Sequence, residues 1–124
     1  MIACDTSVLI VYFENGRGTD VEQVDQALDT GELAVPPVVI TEIVSDRSAA
    51  AALKFGLFNI DPLPILEGYW RRAGDARAKL RRAGLRARTA DALIAQSCID
   101  HDVALITRDA DFRHFAKHCG LRLA

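Results

Sequence analysis

The chain has 124 residues, of which 50% are hydrophobic and 26% charged, and its formal net charge is −2. This length suits one domain with one core, and the apolar content excludes an intrinsically disordered chain. No apolar run approaches the ~18 residues that a membrane span requires, and the N-terminal segment lacks the basic start of a signal peptide. We therefore expect a single domain over residues 1–124 that is cytoplasmic and does not contact a membrane.

The elements are predicted from apolar spacing, capping residues and turn residues. In chain order they are a strand at 1–4, helices at 6–14 and 20–31, a strand at 32–36, helices at 37–46 and 47–56, a strand at 60–65, helices at 66–84 and 89–102, a strand at 103–107, a helix at 109–120 and a strand at 121–124. Asp20 and Thr89 are the predicted N-caps of their helices, and Pro37 suits a first helical turn.

Strands that alternate with helices predict parallel pairing through right-handed crossovers. The expected fold class is therefore α/β, a three-layer α/β/α domain with a central parallel sheet. In open sheets of this kind, functional sites lie at the carboxyl ends of the strands.

Acidic side chains follow two of the predicted strands. Asp5 comes directly after the first strand, and Asp109 and Asp111 follow the strand at 103–107. Glu42 and Asp91 lie in helices among apolar neighbours, and Asp91 falls in a first turn that would point toward the same crevice. Taken singly, each acid has an alternative role as a helix cap, a partner of the helix dipole or a solvated side chain.

Several carboxylates at one place repel one another, so such a cluster persists only when cations neutralise it. Carboxylate oxygens are hard ligands, which favours Mg²⁺ or Mn²⁺ over zinc. His114 and His118 also have a metal-compatible spacing, but no third ligand lies near them in the sequence. The three cysteines, Cys4, Cys98 and Cys119, are expected to be free thiols in a reducing compartment.

Charge is unevenly distributed along the chain. Residues 1–67 contain eleven acidic and three basic residues, whereas residues 71–88 contain eight basic residues and one acidic residue. A local basic stretch can attract a polyanion even when the whole protein is acidic. The alternative is a solvated face of an amphipathic helix. Tyr69 and Trp70, just before this stretch, could stack on bases or belong to the core or a dimer face.

Four segments in chain order resemble the motifs of PIN-domain ribonucleases, and more narrowly those of VapC-type toxins from toxin–antitoxin pairs. They are ACDTSVLI at 3–10, TEIV at 41–44, TADALIAQ at 89–96 and ALITRDADF at 104–112. The resemblance spans the whole chain. It implies a Mg²⁺- or Mn²⁺-dependent endoribonuclease that leaves 5′ phosphate and 3′ hydroxyl ends.

The resemblance also implies roles for individual residues. The catalytic set would be Asp5, Glu42, Asp91, Asp109 and Thr107. The metal ligands would come from the same four acids, with Asp5 and Asp109 holding the main ion and Asp111 as an accessory member. Ser7 matches a position that hydrogen-bonds within the pocket, although Thr6 beside it is also a hydroxyl residue. RNA would contact the basic stretch through Arg77, Arg81, Arg82, Arg86 and Arg88.

The partners implied are an RNA substrate, a cognate antitoxin laid over the acidic crevice and a second copy in a homodimer. Two alternatives stay open within the same family, namely an RNA-processing nuclease without an antitoxin and a non-catalytic binding module. A phosphatase with a D-x-D nucleophile pair would need a long domain after Asp111, where only thirteen residues follow. A phospho-receiver domain would need paired acids after the first strand, where Asp5 stands alone.

Overall fold

The computed structural model describes residues 1–49 and 51–124, with their side chains except at positions 52, 55 and 58. Its centre is a sheet of four parallel strands, β1 (Ile2–Cys4), β2 (Leu33–Val35), β3 (Asp61–Pro62) and β4 (Ala104–Ile106). The spatial order is β3-β2-β1-β4, which places β1 between β2 and β4. The predicted α/β class with a central parallel sheet is confirmed.

Helices connect the strands and flank the sheet. They are α1 (Thr6–Phe13), α2 (Thr19–Asp29), α3 (Pro37–Ser45), α4 (Ala51–Gly56), α5 (Tyr69–Arg82), α6 (Thr89–Asp100) and α7 (Phe112–Cys119), with a 3₁₀ turn at Leu57–Asn59. The predicted helix at 47–56 is represented by α4, and its position 50 lies outside the described residues. None of the described helices combines the length and the apolar character that a membrane span requires.

Three local predictions need correction. Asp20 is not the N-cap of α2, because the helix starts at Thr19 and Asp20 is its second residue. The Asp20 side chain instead binds Arg108, which follows β4. Thr89 is the first residue of α6, and the preceding Arg88 occupies the N-cap position without a side-chain cap. The expected strand at 121–124 is reduced to a single bridge between Leu105 and Leu123.

The core surrounds the short strands, and most of its largest fully buried side chains come from the helices. They include Phe112, Phe115, Leu9, Ile43 and Leu80. Burial of this apolar surface is the main contribution that stabilises a domain whose strands contain only two or three residues. The core therefore fixes the helix ends at the carboxyl edge of the sheet.

The two aromatic residues at the start of α5 have different environments. Tyr69 is buried, and its hydroxyl donates a hydrogen bond to the Leu93 carbonyl at 2.7 Å. Trp70 is 64% exposed and lies close in sequence to the exposed side chains of Ile65 and Leu66. Tyr69 is thus a core residue, whereas Trp70 is a surface residue.

Candidate functional site

Asp5 links the end of β1 to the start of α1. It is the N-cap of α1, and its Oδ1 accepts hydrogen bonds from the Val8 amide at 3.1 Å and the Ser7 hydroxyl at 2.7 Å. Its Oδ2 accepts a hydrogen bond from Thr107. Burial raises the pKa of Asp5, and these donors partly oppose that rise. The cap geometry therefore holds a buried carboxylate at the carboxyl edge of the sheet.

The loop between β4 and α7 is held by a chain of hydrogen bonds. The Thr107 hydroxyl donates to Asp5 and accepts from the Asp109 amide at 3.0 Å. Asp109 in turn accepts a hydrogen bond from the Asp111 amide through its Oδ1, at 2.9 Å. Thr107 thus connects the acid that follows β1 to the acids that follow β4.

Asp91 is the third residue of α6, and its side chain is almost fully buried, with 9% exposure. Among the described residues, its Oδ2 is a buried oxygen that has no hydrogen-bond partner. Burial and the negative charges of Asp109, Asp111 and Glu42 raise the pKa of Asp91 to about 6, and Arg88 opposes the rise. A buried carboxylate oxygen without a donor is costly unless a cation satisfies it.

Three carboxylates form a group that could hold such a cation. Asp91, Asp109 and Asp111 each offer an oxygen, and these oxygens lie within 4.8 Å of one another. A cavity of about 280 Å³ beside this group is also lined by Asp5 and Glu42. The donors are all hard oxygens, so the residues fit Mg²⁺ or Mn²⁺. Asp111, to which the resemblance gives an accessory role, belongs to this group of three.

Both hydroxyl residues after Asp5 line the cavity, and each serves a different acid. Thr6 donates a hydrogen bond to Glu42 Oε1 at 2.8 Å, whereas Ser7 donates to Asp5. This hydrogen bond connects Glu42, which belongs to α3, to the first residue of α1. The sequence could not distinguish between Thr6 and Ser7, and the structure gives both a place in the site.

The arginines of the basic stretch at 71–88 lie in three different environments. Arg88 lines the acidic cavity, and Arg86 Nε lies 3.9 Å from Asp111 Oδ2. Arg81 and Arg82 are exposed at the end of α5. Arg77 is half-buried and donates to the Ala87 carbonyl at 2.8 Å, so part of its hydrogen-bonding capacity is used within the fold.

Arg72, which belongs to the same stretch, has an internal partner too. It donates to both carboxylate oxygens of Asp100, at 2.9 and 2.6 Å.

Arg108, which lies outside the stretch, is not among the residues that the sequence motifs single out, although it separates Thr107 from Asp109. Its position between two predicted site residues was the signal that could have drawn attention to it.

Residues 2–118 match the family model described as PIN domain. The chain belongs to the PIN domain family. The assignment made from the four sequence motifs is therefore confirmed. No curated protein sequence matches the chain at a significant level.

Solved structures share the fold over nearly the whole chain. The structure of VapBC2 from Rickettsia felis bound to a promoter DNA fragment matches with a TM-score of 0.78 and 17% identity, covering 100% of this chain and 98% of that chain. FitAcB from Neisseria gonorrhoeae matches with a TM-score of 0.69 and 17% identity, covering 99% and 96%. VapBC-5 from Mycobacterium tuberculosis, of the VapBC toxin–antitoxin family, matches with a TM-score of 0.68 and 23% identity, covering 98% and 95%. At these identities the likeness concerns the fold of this PIN domain.

Proposed function

We propose that this PIN domain is a Mg²⁺- or Mn²⁺-dependent endoribonuclease and the toxin component of a toxin–antitoxin pair. The observation that supports the nuclease most directly is the buried carboxylate of Asp91, which has an unpartnered Oδ2 and lies beside the carboxylates of Asp109 and Asp111. The toxin assignment is supported by the four sequence motifs and by the fold shared with chains from VapBC complexes.

The metal would be held by Asp91, Asp109 and Asp111, and Asp5 and Glu42 line the same cavity as Asp91 and Asp109. When bound, the ion supplies Lewis acidity, which makes water a competent nucleophile at neutral pH and stabilises charge on the leaving oxygen. No protein side chain need attack the phosphorus, so the products should carry 5′ phosphate and 3′ hydroxyl ends.

The protein's own contribution is positioning. Thr107 fixes Asp5 and Asp109 relative to each other through its two hydrogen bonds, so its loss would disturb both acids. Ser7 and the Val8 amide keep Asp5 oriented toward the cavity. Such donors preserve the ligand geometry that a metal requires before it binds.

RNA would approach along the basic residues beside the cavity. Arg86 and Arg88 border the acidic group and would contact phosphates next to the scissile bond. Arg81 and Arg82 would extend this path along the surface, because exposed arginines neutralise phosphate charge. Arg77 would contribute less, since it already donates to the Ala87 carbonyl.

The proposed partners are a cognate antitoxin that covers the acidic cavity and a second copy of the chain in a homodimer. A role in RNA processing without an antitoxin would use the same site. A non-catalytic binding module is disfavoured, because such a module has no need to keep several carboxylates close to one another at one cavity.

The test is cleavage of end-labelled RNA by purified protein with Mn²⁺, Mg²⁺ or EDTA, alongside Asp5→Asn. We expect metal-dependent products with 5′ phosphate ends that the substitution abolishes while the circular dichroism spectrum is unchanged. Asp29→Asn, at an exposed acid in the last turn of α2, is the matched control and should cleave as the wild type does. Full activity of Asp5→Asn, or cleavage in EDTA, would contradict the assignment.

A further inference from the structure

Arg108 ties the loop that carries the proposed metal ligands to a distant part of the chain. Its guanidinium contacts Asp20 through Nε and Nη2, the second contact measuring 3.0 Å to Oδ1. Nη2 also donates to the Arg17 carbonyl at 2.6 Å. Arg108 lies between Thr107 and Asp109, so these contacts join the β4–α7 loop to the segment that enters α2.

Gly18 shows how closely the two segments approach. A Cβ at this position would lie 2.5 Å from Asp20 Oδ1 and 3.0 Å from Arg108 Nη2. Its φ of +137° is also a conformation that side-chain-bearing residues rarely adopt. Glycine therefore leaves room for the guanidinium to reach both the carboxylate and the carbonyl.

The hydrogen bonds of the Arg108 guanidinium all go to the segment at 17–20. A planar guanidinium with paired bonds to one carboxylate fixes orientation as well as position. The backbone on either side of Arg108 carries the Thr107 hydroxyl that binds Asp5 and the Asp109 carboxylate that faces Asp91. Movement of this backbone would displace both.

We propose that Arg108 is a positioning residue. Its hydrogen bonds to the Asp20 carboxylate and the Arg17 carbonyl, together called the clamp, set the metal affinity of the acidic group. The inference rests on the proposed function, since it concerns the affinity of that same metal site. Residues that orient metal ligands without touching the metal commonly contribute about 10- to 100-fold to affinity.

The experiment measures Mn²⁺ affinity of the intact chain, without RNA, by titration followed with electron paramagnetic resonance. Arg108→Ala and Asp20→Ala should each weaken Mn²⁺ binding by about 10-fold. The double variant should be no weaker than either single one, because both substitutions remove the same clamp. Gly18→Ala should give a similar loss although it removes no charge and no hydrogen-bonding group.

Arg122→Ala is the matched control. Arg122 also joins a carboxylate and a backbone carbonyl, with Nε donating to Asp102 Oδ1 at 3.1 Å and Nη2 to the Asp102 carbonyl at 2.5 Å. This pair lies just before β4, at the opposite end of the strand from the acidic group. Its loss should leave Mn²⁺ affinity unchanged.

Unchanged Mn²⁺ affinity in Arg108→Ala would overturn the clamp, as would independent, multiplying effects in the double variant. Normal affinity with reduced cleavage would also overturn it, because Arg108 would then act on RNA. A wild-type protein that binds no Mn²⁺ would instead contradict the proposed function itself. Thermal unfolding of each variant in EDTA identifies any substitution that disrupts the fold. Arg108→Lys keeps the charge but loses the paired donors of the guanidinium, so its Mn²⁺ affinity should lie between those of the wild type and Arg108→Ala.

Discussion

Replacing Asp91 with Asn should stabilise the metal-free protein while abolishing its activity. The side chain is 9% exposed, its Oδ2 lacks a partner, and its pKa rises from 3.8 to about 6. The folded protein therefore holds the proton more tightly than the unfolded chain, so the ionised carboxylate destabilises the fold at neutral pH. A rise of about two units corresponds to about 3 kcal/mol, at roughly 1.4 kcal/mol per unit.

Asn removes this charge but must place an amide in the same position. We therefore expect the free energy of unfolding to rise by about 1–3 kcal/mol at pH 7.5. Urea unfolding in EDTA, followed by circular dichroism, measures the difference between the two proteins. The difference should be complete above about pH 6 and should shrink toward pH 4, where Asp91 becomes protonated in both the folded and the unfolded wild type.

Added Mg²⁺ or Mn²⁺ should stabilise the wild type and not the variant, because the ion binds only the folded site and would lose a ligand in Asp91→Asn. Asp29→Asn, at an exposed position, should leave stability within about 0.5 kcal/mol of the wild type at either condition. If Asp91→Asn is less stable than the wild type in EDTA at pH 7.5, the reasoning about a destabilising buried charge is refuted.

Three further predictions concern the RNA path, the core and the thiols. The double substitution Arg81→Glu and Arg82→Glu should weaken RNA binding, measured by fluorescence anisotropy. The slope of log binding constant against log salt concentration should fall in magnitude by about one to two, because two phosphate contacts are lost, and an unchanged slope would contradict the proposed RNA path. Leu80→Ala, at a fully buried position, should lower the free energy of unfolding by about 2–5 kcal/mol in urea titrations, and the partly exposed Leu123→Ala by much less. Because burial raises the pKa of Cys98 to about 12, Ellman's reagent should label it only after unfolding, and rapid labelling of the native protein at pH 8 would contradict its burial.

Much of the site could be predicted because its acids lie close to elements that sequence patterns identify. Asp5 and Asp109 follow apolar strands, and parallel strands bring their carboxyl ends to one edge of the sheet. Asp91 lies in the first turn of a helix with a recognisable motif. Local pattern and topology together were sufficient to bring these three residues to one place.

The contacts that depend on tertiary packing could not be predicted. Arg108 and Asp20 are 88 positions apart, and a sequence with many acids and arginines offers many equally plausible pairs. The local sequence around Asp20 predicts a helix cap, which is a common role for aspartate, and it carries no sign of the distant arginine. Thr6 and Ser7 are chemically alike and adjacent, so only the path of α1 decides which acid each one reaches.

The surface position of Trp70 has a practical consequence for spectroscopy. It is the single tryptophan of the chain and is 64% exposed, so its emission in the isolated protein should already be close to that of a solvated indole. Intrinsic fluorescence will therefore change little when the core unfolds. A protein partner or a second copy that covers Ile65, Leu66 and Trp70 would shift the emission to shorter wavelengths, which makes this residue a built-in optical reporter of association at that face.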